Sequence, residues 1–271
     1  MNTSDETKVH QKPDYSWDEK ELEEFRKDVL KEKELKCKTD DIFLLSFLRA
    51  RKFDKERALT LLKNYCLTRK KNPIVFKNLK PSALEEILRM NMYSSVKTEN
   101  DMVITFFSFG HWDAEKVEML DLLKIMLLIL DFELNDHPIQ VNGHYILTDA
   151  KDISWRHIIQ YTPRNIQLLV SSMFKCIPVR YKGIHVVNTN KILIFLYQII
   201  SPFLPYKLKK RIHLHGSDMK ELHKVIDPKY LPAEFGGELP PFDSTEYIQQ
   251  LKDNEEFFVE NEKYWTEENN I

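Results

Sequence analysis

Apolar and polar positions recur along this chain with two periods, and the change from one to the other divides it. In the first eighty residues the spacing is helical. Ser16 followed by Glu19 has the spacing of a capping box, predicting a charged helix from there to about Lys36. In "DDIFLLSFLRARKF", Phe43, Leu44, Phe47 and Leu48 fall on one helical face behind a cap at Asp40 or Asp41. Asp54 caps a third helix, "DKERALTLLKNYCLTRKK", which Asn72-Pro73 closes. Residues 16–80 therefore read as a small helical domain behind a flexible polar lead, 1–15.

From residue 90 to 243 the period alternates. "MVITFFSF" (102–109), "GHYILTDA" (143–150) and "GIHVVN" (183–188) are β-branched and aromatic runs of strand length. The long apolar "KVEMLDLLKIMLLILDFEL" and "TPRNIQLLVSSMFKCIP", with Pro163 in its first turn, lie between them as helices. Strand, helix, strand, helix, strand predicts an α/β domain with a mostly parallel sheet and crossover helices. Residues 244–271 read as an acidic amphipathic helix.

One stretch fits neither pattern. "KILIFLYQIISPFLPYKLKKR" carries no charge between Ile192 and Ile200, then a proline-bounded apolar kink, then Lys207, Lys209, Lys210 and Arg211. A helix apolar all round seals a cavity with one side and enters an interface with the other. Its uncharged run falls short of the roughly 18 residues a spanning helix needs. With no signal-peptide pattern, myristoylation glycine or prenylation box, the expectation is a cytoplasmic protein that meets membranes reversibly.

Composition narrows the chemistry. At 271 residues, 42% hydrophobic and a net charge of -2, the chain is globular and has no global field for nucleic acid. Cys37, Cys66 and Cys176 are odd in number and far apart, which argues against a disulfide framework or a zinc site. The six glycines form no GxGxxG or GxxxxGK[ST] loop, and no GxSxG elbow occurs. His213, His215 and His223 lack a carboxylate or thiol spaced to complete a metal site. Asp149 ends a strand, where α/β enzymes place catalytic carboxylates, but reads more simply as a cap for the turn after it. No catalytic constellation remains, so a non-enzymatic protein without cofactor or metal is expected.

Several blocks in order resemble the CRAL-TRIO family of lipid-binding proteins: "FLLSFLRARKFDKERALTLLKNY", "NGHYILTDAKDISWRHIIQYTPRNIQLLVSSMFKCIPVRYKGIHVVN", "FLPYKLKKRIHLHG" and "LPAEFGGEL". The likeness runs from about Trp17 to Leu239 and is nearest to the tocopherol-carrier branch and its insect-type relatives. It implies a helical domain packed on an α/β domain whose sheet floors an apolar cavity, with 191–205 as a mobile gate. It also implies a phosphoinositide site at Arg51, Arg180, Lys182, Lys207 and Arg211. Lys207 and Arg211 share a helical face, and Arg180 and Lys182 share one side of an extended segment.

The resemblance places the pocket on five elements. The central strand gives His144, Ile146 and Thr148, and the next strand Ile184. The first long helix gives Leu123, Met126, Leu127 and Leu130. Tyr161, Leu169, Ser172 and Met173 come from the second crossover, and Leu193, Leu196, Ile199 and Ile200 from the gate. Sparse polar handles in such a lining suit a tocopherol-, retinoid- or sterol-like guest with one hydroxyl or carbonyl. The chain departs from the family pattern in three places: Asp152 stands where glycine is usual, the first strand lacks its usual Gly-Arg-Pro lead and arginine, and Met126 and Leu130 replace small polar residues. A carrier that moves its guest between phosphoinositide-containing membranes is the reading. The rivals are a lipid-sensing adaptor that recruits a protein through the acidic C-terminal helix, and an enzyme acting on the bound lipid.

Overall fold

The computed structural model describes residues 15–264; the expected lead at 1–15 lies outside them except for Tyr15. Three helices come first. α1 (Glu19–Lys31) is capped by Asp18, not Ser16, whose carboxylate accepts from the Lys20 and Glu21 amides at 2.7 and 3.3 Å. It ends five residues short of the expected Lys36; Leu22, Phe25 and Val29 form its buried face, and Leu35 packs against the same core from the segment beyond the helix. α2 (Asp41–Ala50) takes Asp40 as its cap, and α3 (Lys55–Lys71) takes Asp54.

The sheet has five strands in the order of the chain: β1 (Tyr93–Lys97), β2 (Val103–Ser108), β3 (His144–Asp149), β4 (Tyr181–Val187) and β5 (Ile212–Leu214). β1 pairs antiparallel with β2, and the other pairs are parallel. The three strands expected from the alternation are the central three. Both edges went unread: β1 mixes serines with a lone Val96, and β5 is only three residues long. α4 (Met119–Glu133), α5 (Trp155–Ile158), α6 (Pro163–Val170) and α7 (Lys191–Ile200) follow β2, β3 and β4. α6 runs on into a π turn, Ser171–Lys175.

Each sheet face buries its own core. Ile104, Phe106, Leu147 and Val187 point to the outer side, under Leu222, Ile226, Leu231 and Phe235. The inner side faces α4 and α6, and its core continues without a break into α1–α3. Arg69 of α3 lies across that continuity, paired with Asp131 of α4 where both side chains are almost wholly buried, and its guanidinium stacks on Tyr65. A buried ion pair contributes little net stability but tolerates no single deletion. The C-terminal stretch forms two helices, α9 (Thr245–Asp253) and α10 (Glu255–Glu262), after the one-turn α8 (Tyr206–Lys209). Asn254, with its helix-breaking backbone, divides the expected single helix.

Two turns depend on unusual backbone. Gly143, between a short helix and β3, has φ +81°, and a Cβ there would lie 2.5 Å from the Arg180 carbonyl oxygen. Asp152, which the resemblance sets where glycine is expected, adopts φ +65° itself; aspartate is among the few side chains that tolerate this region. The turn therefore keeps its left-handed residue despite the substitution.

Candidate functional site

The registers of the five strands place Tyr93, Phe107, Thr148, Val186 and Leu214 in a single row on the inner face. That row floors a cavity of about 190 Å³. Ile184 and Ile212 extend the floor in the next row toward the β4–β5 edge. One wall is α4, which presents Met119, Leu122, Leu123 and Met126, one stripe of an α-helix. The opposite wall brings Tyr161, Leu169 and Phe174, and α7 roofs the space with Leu193, Leu196, Tyr197 and Ile200. Among the described residues no charged side chain borders it.

Of the expected lining, Leu123, Met126, Thr148, Tyr161, Leu169, Ile184, Leu193, Leu196 and Ile200 border this space. The others do not, each for a geometric reason. His144 shares a face with Thr148 but sits four residues away, about 13 Å along a strand. There its Nε2 is 2.5 Å from Thr105 Oγ1 and 3.4 Å from Glu133 Oε2, within a buried polar knot that Tyr247 joins. Ile146 packs instead with the Ile166, Val170 and Leu208 cluster, and so does Ile199. Leu127 lies about 100° round the helix from Met126, and Leu130 lies one turn beyond it toward the knot. Ser172 and Met173 are fully buried in the π turn. That turn's wider pitch shifts the inward face, so that Phe174 follows Leu169.

Tyr93, Phe107, Phe109, Val186 and Leu214 also line the cavity and were not foreseen from sequence. Alternation alone marks Phe107 and Val186 as inward candidates. Tyr93 and Leu214 belong to the two edge strands that the pattern hid.

α7 starts at Asn190, whose side chain accepts from the Ile192 and Leu193 amides at 3.0 Å. While Leu193 and Leu196 are buried, Ile194 and Phe195 on the outer side stay 43% exposed, as does Phe203 at 45% and Tyr206 at 70%. Phe195 meets Trp155 of α5 edge to face at 5.3 Å, and Trp155 and Ile159 are exposed too. The outer side of the roof thus exposes several apolar and aromatic side chains, of which Phe195 and Trp155 touch. At the base of α7, Asn188 (φ +52°) bonds Asp149, and the Thr189 amide and hydroxyl both donate to the His215 carbonyl. Asp149 also accepts from the Lys151 amide at 2.9 Å, the turn-capping role its position suggested.

Three of the five expected phosphate-binding cations come together. Arg180 donates to the Val141 carbonyl at 2.7 Å and Arg211 to the Tyr181 carbonyl, which fixes both beside Lys182. Burial, then the charges of Arg180 and Arg211, hold the Lys182 ammonium below its usual value. None of the three has a carboxylate partner among the described residues. Lys207 stands in α8, which ends at Lys209, so Arg211 lies beyond it in the turn before β5 and the two do not share the helical face expected of them. Arg51 closes α2, where burial and then Arg57 lower its value, and its guanidinium donates to Ala50; none of its contacts is with the other four cations.

The histidines serve elsewhere. His185 and His213 stack at 4.9 Å, His185 Nδ1 lies 3.0 Å from His215 Nε2, and His223 bonds the Phe235 carbonyl. Among the described residues no group of three or more histidine, cysteine or acidic side chains is disposed to hold a metal ion. None of the described helices is long and apolar enough to cross a membrane.

Comparison with known proteins agrees with this arrangement. The CRAL/TRIO domain model matches residues 91–237. Clavesin-1 of Xenopus laevis is 36% identical over 220 residues, covering 79% of this chain and 66% of clavesin-1. Clavesin-2 of Homo sapiens is 34% identical over 223 residues, covering 80% of this chain and 68% of its own. The matched stretch thus spans about two thirds of the length of these relatives. A solved structure titled "Crystal structure of Sfh5" superposes with a TM-score of 0.50 over 89% of this chain and 99% of its own, at 14% identity, a likeness of fold alone. With its mixed sheet, its roofed apolar cavity and these relatives, the chain belongs to the CRAL-TRIO family of lipid-binding proteins.

Proposed function

We propose that this protein is a carrier that takes a hydrophobic small molecule into the cavity beneath α7 and passes it between membranes, working from the cytoplasm and docking transiently. The observation that carries the reading is the double-sided roof: Leu193, Leu196 and Ile200 close the cavity while Ile194, Phe195 and Phe203 face outward. Each such side chain gains roughly 1.5–3 kcal/mol when buried, so a few entering a lipid interface offset the loss of closed-state contacts. Pro202 and Pro205, with fixed φ, give the swinging segment a stiff end. Arg180, Lys182 and Arg211, mutually repelling and without carboxylate partners among the described residues, suit a polyanionic phosphoinositide headgroup, and Lys207 stands on the segment that would move. Arg51, away from this cluster in its contacts, is the least supported member of the expected site. The helical region 16–80 is proposed as a domain that buttresses the lipid-binding one.

The test is transfer of a fluorescent lipid between labelled vesicles, with and without phosphoinositide. Phe195→Asp and Phe203→Asp should slow transfer at least tenfold in both vesicle types. Lys207→Glu, or Arg180→Glu with Arg211→Glu, should slow it only when phosphoinositide is present, because a headgroup shifts the gate only through differential affinity for its open form. Slowing by Lys207→Glu with neutral vesicles would separate the cations from the gate. If wild type binds lipid and moves none, the adaptor reading takes its place; if recovered lipid is chemically altered, the enzyme reading does.

A further inference from the structure

The cavity wall is carbon almost throughout, and the polar group that breaks this pattern most sharply is one that the likeness to carriers does not point to. Tyr93 opens the edge strand β1 and ends the floor row. Its side chain is 93% buried by its 7% exposure, and its hydroxyl is buried with no hydrogen-bond partner among the described residues. The ring cannot turn away to find one, because it stacks on Phe107 at 4.9 Å with 28° between planes. Orphaned buried hydroxyls are rare and unfavourable in native proteins, so each invites a reason. Two further tyrosines border the cavity, Tyr197 in the roof and Tyr161 on the facing wall, and among the described residues no hydrogen bond reaches the Tyr161 hydroxyl.

Resting on the carrier reading, we propose that Tyr93, with Tyr161, anchors the oxygen-bearing end of the guest, and that the guest is an uncharged molecule with one terminal hydroxyl or carbonyl. Burial, then the neighbouring Tyr161, pushes the Tyr93 phenol upward, and burial does the same for Tyr161, so both stay protonated donors across the physiological range. A carboxylate end is excluded by the same surroundings. Among the described residues no lysine, arginine or histidine borders the cavity to neutralise it, and an unpaired buried charge is far costlier than an unpaired hydroxyl. Phospholipid headgroups fail on the same ground and remain outside, at the cations.

Two measurements test this. In delipidated protein, Tyr93→Phe removes a hydroxyl that has no protein partner, so its melting temperature should equal or exceed that of wild type; a fall of several degrees would reveal a structural partner and overturn the proposal. In competition binding, wild type should take hexadecanol and hexadecanal well ahead of hexadecane and hexadecanoate. Tyr93→Phe should weaken the alcohol and aldehyde about tenfold, the worth of one hydrogen bond left unmade, and leave hexadecane unchanged. Tyr161→Phe should act in the same direction. Equal losses for alcohol and hydrocarbon would mean that the tyrosine only shapes the wall. Wild type that binds none of the four probes would remove the carrier reading and this proposal with it.

Discussion

At the scale of single residues, backbone and protonation set the sharpest constraints. Gly143 combines φ +81° with the Arg180 carbonyl where a Cβ would stand. Gly143→Ala should therefore cost about 2–4 kcal/mol by denaturant unfolding, from strain and from the shift forced on β4; a loss below ~0.5 kcal/mol would show that the turn relaxes freely. His185 gives a pH dependence of definite sign. Burial, then His213 and His215, depress its imidazole to about 4, and His215 is depressed by burial and His213 with Glu221 opposing. The fold prefers these rings neutral, so their contribution is complete above the unfolded value near 6.5 and is lost as pH falls through the window toward 4. Melting temperature should decline across that window, and His185→Gln should flatten the decline. Such residues mark where sequence reading stops. Asp152 was legible as a departure, but not that it would take the glycine backbone; Tyr93 carried no signal, because a tyrosine beside two serines has no alternation to read.

Elements were legible where their period was long and missed where tertiary pairing decided. α3, with its Asp54 cap and Asn72-Pro73 stop, is bounded by local chemistry and was readable to the residue. β5 exists only because β4 offers an edge, and no propensity within Ile212–Leu214 announces it. The π turn after α6 is the instructive error: α-helical spacing put Leu169, Ser172 and Met173 on one side, and one wider turn moved the inward position to Phe174. Half the pocket was thus foreseen, and its floor was foreseen least, since a row across five strands is a property of register and not of any segment. The same geometry separates two leucines that look alike in sequence. Leu147, at 0% exposure in the outer core, has neighbours on every side, whereas Leu196 faces the cavity. Leu147→Ala should cost about 3–5 kcal/mol in thermal or denaturant unfolding, and Leu196→Ala clearly less, because part of its surface already meets empty space.

For the whole molecule, the Arg69–Asp131 pair joins the N-terminal helices to the cavity wall, since Asp131 lies on α4 five residues after Met126. Asp131→Ala would strand a buried guanidinium and should cost about 3–5 kcal/mol, while Arg69→Met with Asp131→Leu should recover most of it. Recovery would show that the pair specifies how the two regions meet and supplies little net energy; no recovery would give it an energetic role of its own. A larger space exists on the surface, the groove of about 840 Å³ bordered by Lys71, Arg164 and Lys175. Its mixed polar lining does not suit an apolar guest, and the cavity beneath α7 is the smaller but better match.

The floor itself sets a ruler. Because Tyr93, Phe107, Thr148, Val186 and Leu214 come one from each strand, a long guest lying on them crosses the strands instead of running with them. Five strands at about 4.8 Å spacing put the outermost two side chains roughly 19 Å apart. That distance matches an extended chain of about fifteen carbons, whose tail would reach Leu214 on the short edge strand β5 when its head lies at Tyr93. On the carrier reading, length would be measured in strands: a shorter molecule would leave apolar floor bare at the β5 edge, and a longer one would have to bend upward against α7. On that reading the sheet's width, fixed by hydrogen bonding between its strands, would decide which molecules allow the roof to close.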